Sequence, residues 1–357
     1  MRSIISQLFQ LAKVFTYDVG IDLGTANVRV GLKGKGVVAV EPSVIAVNKI
    51  TKEILAVGDK AKQMIGKTPG DVVATRPLRD GVIVDFDTTK AMLEHFLKLA
   101  KSDIESPSLL SHPRVLVGVP STITDVEKQA VIDAALSAGA KEAYVIEEPL
   151  AAAIGTGLPI NEARGNMIVD IGGGTTDIAI ISLGGILVDK TIKLAGDELD
   201  IKIIDYLREV HGVAVGYRTA ERLKIQLGNV LSKYDKEVEP LSIHGRDLTT
   251  GLPRTLEVTP ADIREAILPV IEKITKAIHE AIEDAPPEIV ADLSEYGIVL
   301  TGGGSQIRGL DKYWAKKLKI PVKKAKEPQL SVLKGTLIAL GHVDLLKRLK
   351  EQEETII

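Results

Sequence analysis

The sequence contains no cysteine, and only six histidines occur among its 357 residues. Without cysteine the chain has no disulfide, no thiol nucleophile and no zinc site of the usual kind. Aromatic residues make up only 3% of the chain, which argues against a stacking platform for single-stranded nucleic acid. The formal net charge of −3 and the lack of a Lys/Arg-rich block give no reason to expect nucleic acid as a partner.

The sequence also lacks a run of about 18 uncharged apolar residues, so it predicts no membrane-spanning helix. Hydrophobic residues nevertheless amount to 45% of the chain and charged residues to 26%, which is the composition of an ordinary soluble protein with ample core. A chain of 357 residues exceeds what one hydrophobic core usually supports. Two domains are therefore expected.

The most informative stretch is Ile168–Ile181, in which two apolar runs flank a polar, glycine-rich tip. The first run ends in Asp170, and Gly172–Gly174 and Thr175 follow. Glycines allow positive φ and leave no Cβ in the way, so successive N–H groups can close on phosphate oxygens. A carboxylate beside such a loop suits magnesium, which keeps most of its waters and takes one or two carboxylates. A tight turn that simply needs glycine is the alternative.

The same pattern occurs earlier in the chain, in the stretch Gly20–Leu32. An apolar run ends in Asp22, a glycine and small residues follow, and a second apolar run begins. The two aspartates are 170 − 22 = 148 residues apart, which is the size of a domain and far longer than a solenoid repeat. Two similar halves, each with a phosphate hairpin, predict a ligand held between them.

The first residues of the chain have the pattern of a short amphipathic helix with two basic residues, Arg2 and Lys13. Such a helix can lie in the headgroup region of a membrane, and the alternative is that its apolar face packs on the protein itself. No cleavage site of a secretory signal follows it. At about 100° per residue, its apolar face consists of Ile4, Ile5, Leu8, Phe9, Leu11, Ala12 and Phe15.

The rest of the chain alternates strands and helices. Strands separated by glycines are predicted between Val19 and Val57, and a loop is predicted from Lys67 to Asp80. The buried strand Gly297–Leu300 ends in a third glycine-bearing loop, Thr301–Ser305. The pattern indicates mixed sheets covered by helices, in which ligands bind at the carboxyl ends of the strands.

Two glutamates lie near predicted helix starts. Glu148 follows a strand and precedes Pro149, which suits the first helical turn. Favourable placement near a helix N-terminus, worth under about 1 kcal/mol, is one interpretation of this position. Glu127 lies in the first turn of a helix that begins near Thr124, where a helix-dipole role is expected.

Together these residues resemble the ATPase superfamily of actin, Hsp70 and the sugar kinases, and within it the bacterial actins that determine cell shape. Asp22–Asn27 is similar to the first phosphate loop of that superfamily, Asp170–Thr176 to its second, and Thr301–Ser305 to its adenosine loop. The stretch Gly245–Pro253 is similar to the cell-shape actins rather than to Hsp70 or the sugar kinases. The resemblance extends over about residues 19–340.

The resemblance implies an α/β protein with the actin-like ATPase fold: two similar RNase H-like domains with mixed sheets flanked by helices, and a nucleotide cleft between them. The implied divisions are a membrane-binding helix at 1–17, a first domain at 18–158 with an inserted subdomain at about 48–85, a second domain at 159–345 with an inserted subdomain at about 196–260, and a charged tail at 346–357. Small departures from the family pattern occur at Val28, Asp177 and the segment Ser331–Gly335.

The resemblance also implies roles for individual residues. Asp22 and Asp170 would hold Mg2+ through its waters, Glu148 would orient the attacking water and Thr175 would assist. For Glu221 and Lys224, a solvated ion pair within one helix remains the alternative. The residues implied to bind ATP or ADP are Gly24, Thr25, Ala26, Asn27, Gly172, Gly173, Gly174, Thr175, Gly196, Glu221, Arg222, Leu223, Lys224, Gly302, Gly303, Gly304 and Ser305.

By the same resemblance, the chain is expected to hydrolyse ATP slowly and to stack into paired protofilaments. Heterologous stacking of this kind does not close, so it yields filaments. These are expected on the cytoplasmic, inner face of the cell membrane, where they would direct peptidoglycan synthesis and rod shape together with membrane proteins of the elongation machinery. The alternatives are an Hsp70-like chaperone ATPase, a small-molecule kinase, or an actin that positions plasmids or magnetosomes.

Overall fold

The computed structural model describes residues 16–79, 82–83, 85–104, 111–236 and 238–342. The predicted amphipathic helix and charged tail lie outside the described residues. The helices are α1 (Asp59–Met64), α2 (Phe86–Ser102), α3 (Asp125–Ser137), α4 (Glu148–Thr156), α5 (Gly196–His211), α6 (Tyr217–Leu227), α7 (Pro260–Glu283), α8 (Pro287–Tyr296), α9 (Leu310–Leu318) and α10 (Ser331–Ala339).

Two large sheets and several smaller ones account for the strands. The strands are β1 (Thr16–Leu23), β2 (Asn27–Leu32), β3 (Gly36–Pro42), β4 (Ile45–Asn48), β5 (Ile54–Val57), β6 (Val72–Thr75), β7 (Leu78–Arg79), β8 (Val82–Ile83), β9 (His112–Val119), β10 (Glu142–Glu147), β11 (Asn166–Ile171), β12 (Thr176–Ser182), β13 (Gly185–Ile192), β14 (Val213–Ala214), β15 (Leu241–Asp247), β16 (Pro253–Val258), β17 (Ile298–Thr301) and β18 (Val322–Lys324).

The described residues form two compact units. Of the described residues, unit 1 contains those from Thr16 to Leu158 and from Leu330 to His342, and unit 2 contains those from Pro159 to Gln329. The expected second domain ran to residue 345, whereas α10 packs with unit 1, against α4 and β1. Unit 1 is therefore assembled from two separate stretches of sequence.

The sheet of unit 1 has the order β10-β9-β1-β2-β3. Its central strand β1 pairs antiparallel with β2 and parallel with β9, and β9 pairs parallel with β10. Alternate residues of these strands point into a core that includes Ile21, Val30 and Val117, together with Phe96 from α2 and Val131 from α3. This packing fixes the end of β1, where Asp22 lies.

The sheet of unit 2 repeats this topology with the order β13-β12-β11-β17-β18. Its β11 pairs antiparallel with β12 and parallel with β17, and β17 pairs parallel with β18. The core beneath it draws on α5, α6, α7 and α9 and includes Val169, Ile178, Leu223, Ile274 and Trp314. The repeated strand order confirms the internal duplication predicted from the two aspartate hairpins.

Smaller sheets extend both units. In unit 1, β4 pairs with β5 and β6, and in unit 2, β15 pairs with β14 and β16. The prediction of a loop from Lys67 to Asp80 was wrong, because Val72–Thr75 pairs with β4 as an edge strand despite the prolines on either side. Within the described residues, no helix is both long and apolar enough to cross a bilayer.

Helices α4 and α10 of unit 1 meet backbone to backbone through glycine. A Cβ at Gly155 would overlap the Ser331 carbonyl oxygen and lie 2.7 Å from the backbone nitrogen of Gly335. A Cβ at Gly335 would overlap the Ala151 carbonyl oxygen in turn. The two helices can approach this closely only because both glycines lack a side chain.

Candidate functional site

The first glycine hairpin joins β1 to β2 and carries a buried ion pair. Asp22 lies directly opposite Arg29 in the antiparallel register, and the Arg29 Nη1 donates to Asp22 Oδ2 at 2.8 Å. Burial raises the pKa of Asp22, while the charge and hydrogen bond of Arg29 act to lower it. The contact with Arg29 uses only one of the two carboxylate oxygens of Asp22.

Glycine is needed in these hairpins for close approach. A Cβ at Gly24 would lie 2.7 Å from the Asn27 carbonyl oxygen, and a Cβ at Gly172 would lie 3.1 Å from that of Thr175. The expectation that the glycines take positive φ was wrong for Gly24 and for Gly172–Gly174, none of which has left-handed backbone. These turns are narrow enough that the missing side chain, rather than the dihedral angle, selects glycine.

Unit 1 brings Glu148 to the same end of its sheet as Asp22. Gly118 pairs in parallel register with Asp22, and a Cβ at Gly118 would lie 3.6 Å from Glu148 Cγ. Glu148 is the first residue of α4, with Pro149 directly after it as predicted. The expected helix-dipole position of Glu127 is confirmed, because it forms a capping box with Thr124 at the start of α3.

The second hairpin joins β11 to β12, and its loop is tied to the start of α5. The Gly172 N–H donates to the Thr175 carbonyl oxygen at 2.9 Å, which closes the turn after the buried Asp170. The carbonyl oxygens of Gly172 and Gly173 accept from the backbone N–H groups of Gly196 and Asp197 at 3.2 and 2.7 Å. The predicted residue Gly196 therefore lies against the predicted phosphate loop.

A buried carboxylate underlies this loop. Asp177, on β12, lies opposite Asp170 of β11 and opposite Thr191 of β13. It accepts hydrogen bonds from Thr175 Oγ1 at 3.0 Å and from Thr191 Oγ1 at 2.5 Å. Burial raises the pKa of Asp177 to about 6, and the two hydroxyl hydrogen bonds oppose that rise.

The third glycine loop packs directly on the second. Gly302 has left-handed backbone at φ 78°, and a Cβ there would overlap Asp170 Oδ1 and the Ile171 carbonyl oxygen. Ser305 is fully buried and donates to the Gly302 carbonyl oxygen at 2.8 Å. Thr301 pairs in register with Asp170, and its buried hydroxyl has no hydrogen-bond partner among the described residues. Glycine at 302 therefore keeps the space around Asp170 clear.

Lys224 on α6 contacts Gly196, which lies against the second glycine loop. Its Nζ donates to the Gly196 carbonyl oxygen at 2.7 Å and to Asp200 Oδ2 at 2.9 Å. Burial raises the pKa of Asp200 to about 6, although the Lys224 charge and hydrogen bond act to lower it. The side chain of Leu223 is fully buried in the core beneath the sheet, so its assignment to the nucleotide stays a prediction that only its backbone could fulfil. Arg222 is exposed.

Each unit thus brings together some of the predicted residues that it contains. Unit 1 places Asp22, Gly24 and Glu148 at one end of its sheet, and unit 2 places the two loops around Asp170. No group of three or more His, Cys, Asp or Glu side chains that could hold a metal occurs in the part of the chain that the structure describes.

A model of the MreB/Mbl protein family matches residues 16–348. The chain belongs to the MreB/Mbl family. It is 45% identical over 337 residues to the cell shape-determining protein Mbl of Bacillus subtilis (strain 168), covering 94% of this chain and 99% of that protein. It is 44% identical over 337 residues to the cell shape-determining protein MreB of Escherichia coli (strain K12), covering 93% and 95% respectively.

Solved structures agree with this MreB/Mbl assignment. MreB5 of Spiroplasma citri bound to AMPPNP superposes with a TM-score of 0.86 at 36% identity, covering 94% of this chain and 99% of that one. The double helical filament of MamK gives a TM-score of 0.76 at 25% identity, covering 92% and 99%. Together with the two mixed sheets, these neighbours confirm the actin-like fold.

Three polar residues of the site were not predicted for this MreB/Mbl family member. Arg29 and Asp177 each lie seven positions after the hairpin aspartate, where a short antiparallel turn brings the chain directly opposite it. Counting positions across the hairpin would have found both. Asp200 lies one helical turn after Gly196 on the loop side of α5, and helical spacing would have found it.

Proposed function

We propose that this chain binds and hydrolyses ATP and forms filaments whose assembly depends on the bound nucleotide. The observation that carries the proposal is the repeated hairpin, in which a buried aspartate precedes a narrow glycine turn in both units. Narrow turns of this kind present backbone N–H groups to phosphates without an intervening side chain. The relative from Spiroplasma citri, 36% identical, was crystallised with AMPPNP and with ADP.

The proposed roles follow from position. The backbone around Gly24 and Gly172 would contact phosphate oxygens, and the loop that begins at Gly302 would lie along the nucleoside. Lys224, held by Asp200, offers a fixed ammonium beside Gly196. Glu148 would orient the attacking water, and Thr175 would hold it from the second loop. Phosphoryl transfer needs mainly such positioning and charge stabilisation from the protein.

The residues present fit magnesium held through water. Asp22 and Asp170 are buried carboxylates beside the turns. Arg29 contacts Oδ2 of Asp22 and not its Oδ1, and the missing side chain of Gly302 leaves room beside Asp170. Bound Mg2+ would neutralise phosphate charge, and it characteristically takes one or two carboxylates and retains several waters. On the family resemblance, we propose Asp22 and Asp170, each described within its own unit, as the carboxylates that would hold its waters.

We further propose that the filaments lie on the inner face of the cell membrane and direct peptidoglycan synthesis. Support comes from the amphipathic pattern of residues 4–15 and from the cell shape-determining names of the relatives. One short helix binds a bilayer weakly, but many helices along a filament gain avidity. Membrane proteins of the elongation machinery would then be the partners.

The nucleotide proposal is tested by titrating fluorescent ATP into wild-type protein and an Asp170→Asn variant, with magnesium. A large loss of affinity is expected, while Glu295→Gln, which removes one negative charge from an exposed site on α8, serves as the matched control and keeps wild-type affinity. Equal affinity in all three proteins would overturn the assignment of Asp170.

Assembly is tested by sedimentation and electron microscopy with ATP and lipid vesicles. Filaments on vesicles are expected for the full chain, and deletion of residues 1–15 is expected to abolish vesicle binding while filaments persist. Vesicle binding that survives the deletion would refute the membrane role. ATP-loaded protein that stays in the supernatant would favour the chaperone alternative, and phosphorylated sugar in a coupled assay would favour a kinase.

A further inference from the structure

The two duplicated hairpins differ at one corresponding position. Seven residues after the hairpin aspartate, unit 1 has Arg29 and unit 2 has Asp177, and each lies directly opposite its aspartate. Arg29 neutralises Asp22, whereas Asp177 adds a second carboxylate to the row formed with Asp170. Two adjacent buried carboxylates are unfavourable unless each is well bonded, so Asp177 calls for a specific explanation.

The hydrogen bonds of Asp177 supply that explanation. Its two carboxylate oxygens are shared between two hydroxyls, with Oδ2 bonded to Thr175 and Oδ1 bonded to Thr191. Thr191 lies directly opposite Asp177 on the neighbouring strand, so its hydrogen bond holds the carboxylate of Asp177 against that strand. Thr175 lies in the turn before β12, so it is not paired with a residue of a neighbouring strand. Asp177 is thus the group that orients the Thr175 side chain.

The direction of the bond from Thr175 determines what that residue offers to a ligand. A threonine hydroxyl has one proton and two lone pairs, and an ionised carboxylate can only accept. Because the proton of Thr175 is committed to Asp177, the Thr175 oxygen can only accept hydrogen bonds from the loop side. A water there would donate a proton to Thr175 and keep its lone pairs for other contacts.

We propose that Asp177 is a positioning residue for ATP hydrolysis, which fixes Thr175 as a hydrogen-bond acceptor for the attacking water. The inference rests on the proposed hydrolysis. In that reaction the water oxygen bonds to the γ-phosphorus while the bond to the bridging oxygen breaks, and ADP leaves with the electron pair. The proton of the water passes to phosphate or solvent, and Thr175 holds the water without taking that proton.

The test is a double-variant cycle on the single-turnover rate of phosphate release, with nucleotide affinity measured in parallel. Asp177→Asn presents an amide N–H to one of the two hydroxyls, and we expect the rate to fall at least about tenfold with ATP affinity within about twofold. Thr175→Val should lower the rate similarly. Adding Asp177→Asn to Thr175→Val should lower it no further, because both changes remove one interaction.

Two further variants separate positioning from stability. Thr191→Val loosens Asp177 without touching Thr175, so a smaller rate loss is expected and the proposal stays testable if Asp177→Asn folds poorly. Thr275→Val removes a buried hydroxyl elsewhere in unit 2 that accepts a hydrogen bond from Trp314 Nε1. This variant should destabilise the protein and leave the rate of phosphate release unchanged. Additive losses in the cycle, or a wild-type rate in Asp177→Asn, would overturn this inference alone. A wild-type chain that releases no phosphate would overturn the proposed hydrolysis as well.

Discussion

Replacing Gly302 by alanine should disrupt the second phosphate loop, because the third loop, in which Gly302 lies, packs directly on it. Gly302 has φ 78°, and the added Cβ would overlap Asp170 Oδ1 and the Ile171 carbonyl oxygen and lie 2.6 Å from the Ile171 carbonyl carbon. Two of these three atoms belong to the backbone of a central strand, so they cannot move aside as the end of a flexible side chain would.

The magnitude follows from two costs. Left-handed backbone costs a residue with a Cβ roughly 1–2 kcal/mol, and forcing a methyl into a well-packed site costs about 1–3 kcal/mol. The free energy of unfolding of unit 2 should therefore fall by roughly 2–5 kcal/mol. At about 2–4 °C per kcal/mol for a domain of this size, its melting temperature should drop by on the order of 10 °C.

The assay combines thermal unfolding with titration of fluorescent ATP. Gly302→Ala should lower both the melting temperature and the nucleotide affinity, since the methyl displaces Asp170. Gly303→Ala is the matched control for the melting temperature, because a Cβ at Gly303 meets nothing within 4 Å and its backbone is not left-handed. Glu295→Gln, at an exposed site on α8, is the control for nucleotide affinity. If both alanine variants bind nucleotide and melt like the wild type, the spatial argument for Gly302 fails.

Three other predictions concern stability. Gly335→Ala should lower the free energy of unfolding by about 2 kcal/mol or more, because it forces a methyl between two helix backbones. Gly70→Ala, where a Cβ meets nothing within 4 Å, should be near neutral. Urea titrations measure both, and equal losses would refute the close packing of the two helices. Because the pKa of Asp200 is raised, the folded chain holds the Asp200 proton more tightly than the unfolded chain does. Protonation of Asp200 therefore contributes fully to the free energy of unfolding below about pH 3.8, and this contribution is lost as the pH rises through about 6. The free energy of unfolding of the wild type relative to Asp200→Asn should accordingly fall by roughly 3 kcal/mol between these values, and a pH-independent difference would contradict the assignment. Thr275→Val should cost about 1 kcal/mol by removing the acceptor of the Trp314 hydrogen bond, and the emission of this single tryptophan provides the measurement; unchanged stability would show that the bond contributes nothing net.

Much of the fold could be predicted from the sequence because its signals are local. Apolar runs that end in a carboxylate and glycine identified both hairpins, and the repeated strand order confirmed the duplication. The long helix α7 begins at Pro260, where Thr259 and Asp262, three residues apart, form a capping box. Glu127 likewise caps its helix, as its first-turn position indicated.

What could not be predicted depends on contacts between distant residues. The strand Val72–Thr75 forms because β4 offers it an edge, and this pairing with a distant segment cannot be read from four residues between two prolines. The return of α10 to unit 1 depends on glycines at 155 and 335, far apart in sequence, that meet in space. Leu223 was assigned to the nucleotide by resemblance, as part of the segment Glu221–Lys224, whereas the helical period turns its side chain into the core.

The split composition of unit 1 has a consequence for synthesis of the protein on the ribosome. Translation delivers β1 early but α10, which packs on β1 and α4, only near the end. Unit 2 is contiguous, so all of its strands have emerged before α10 does. The half that is begun first is therefore the half that is completed last, and during elongation its unfinished surface is what nascent-chain chaperones would meet.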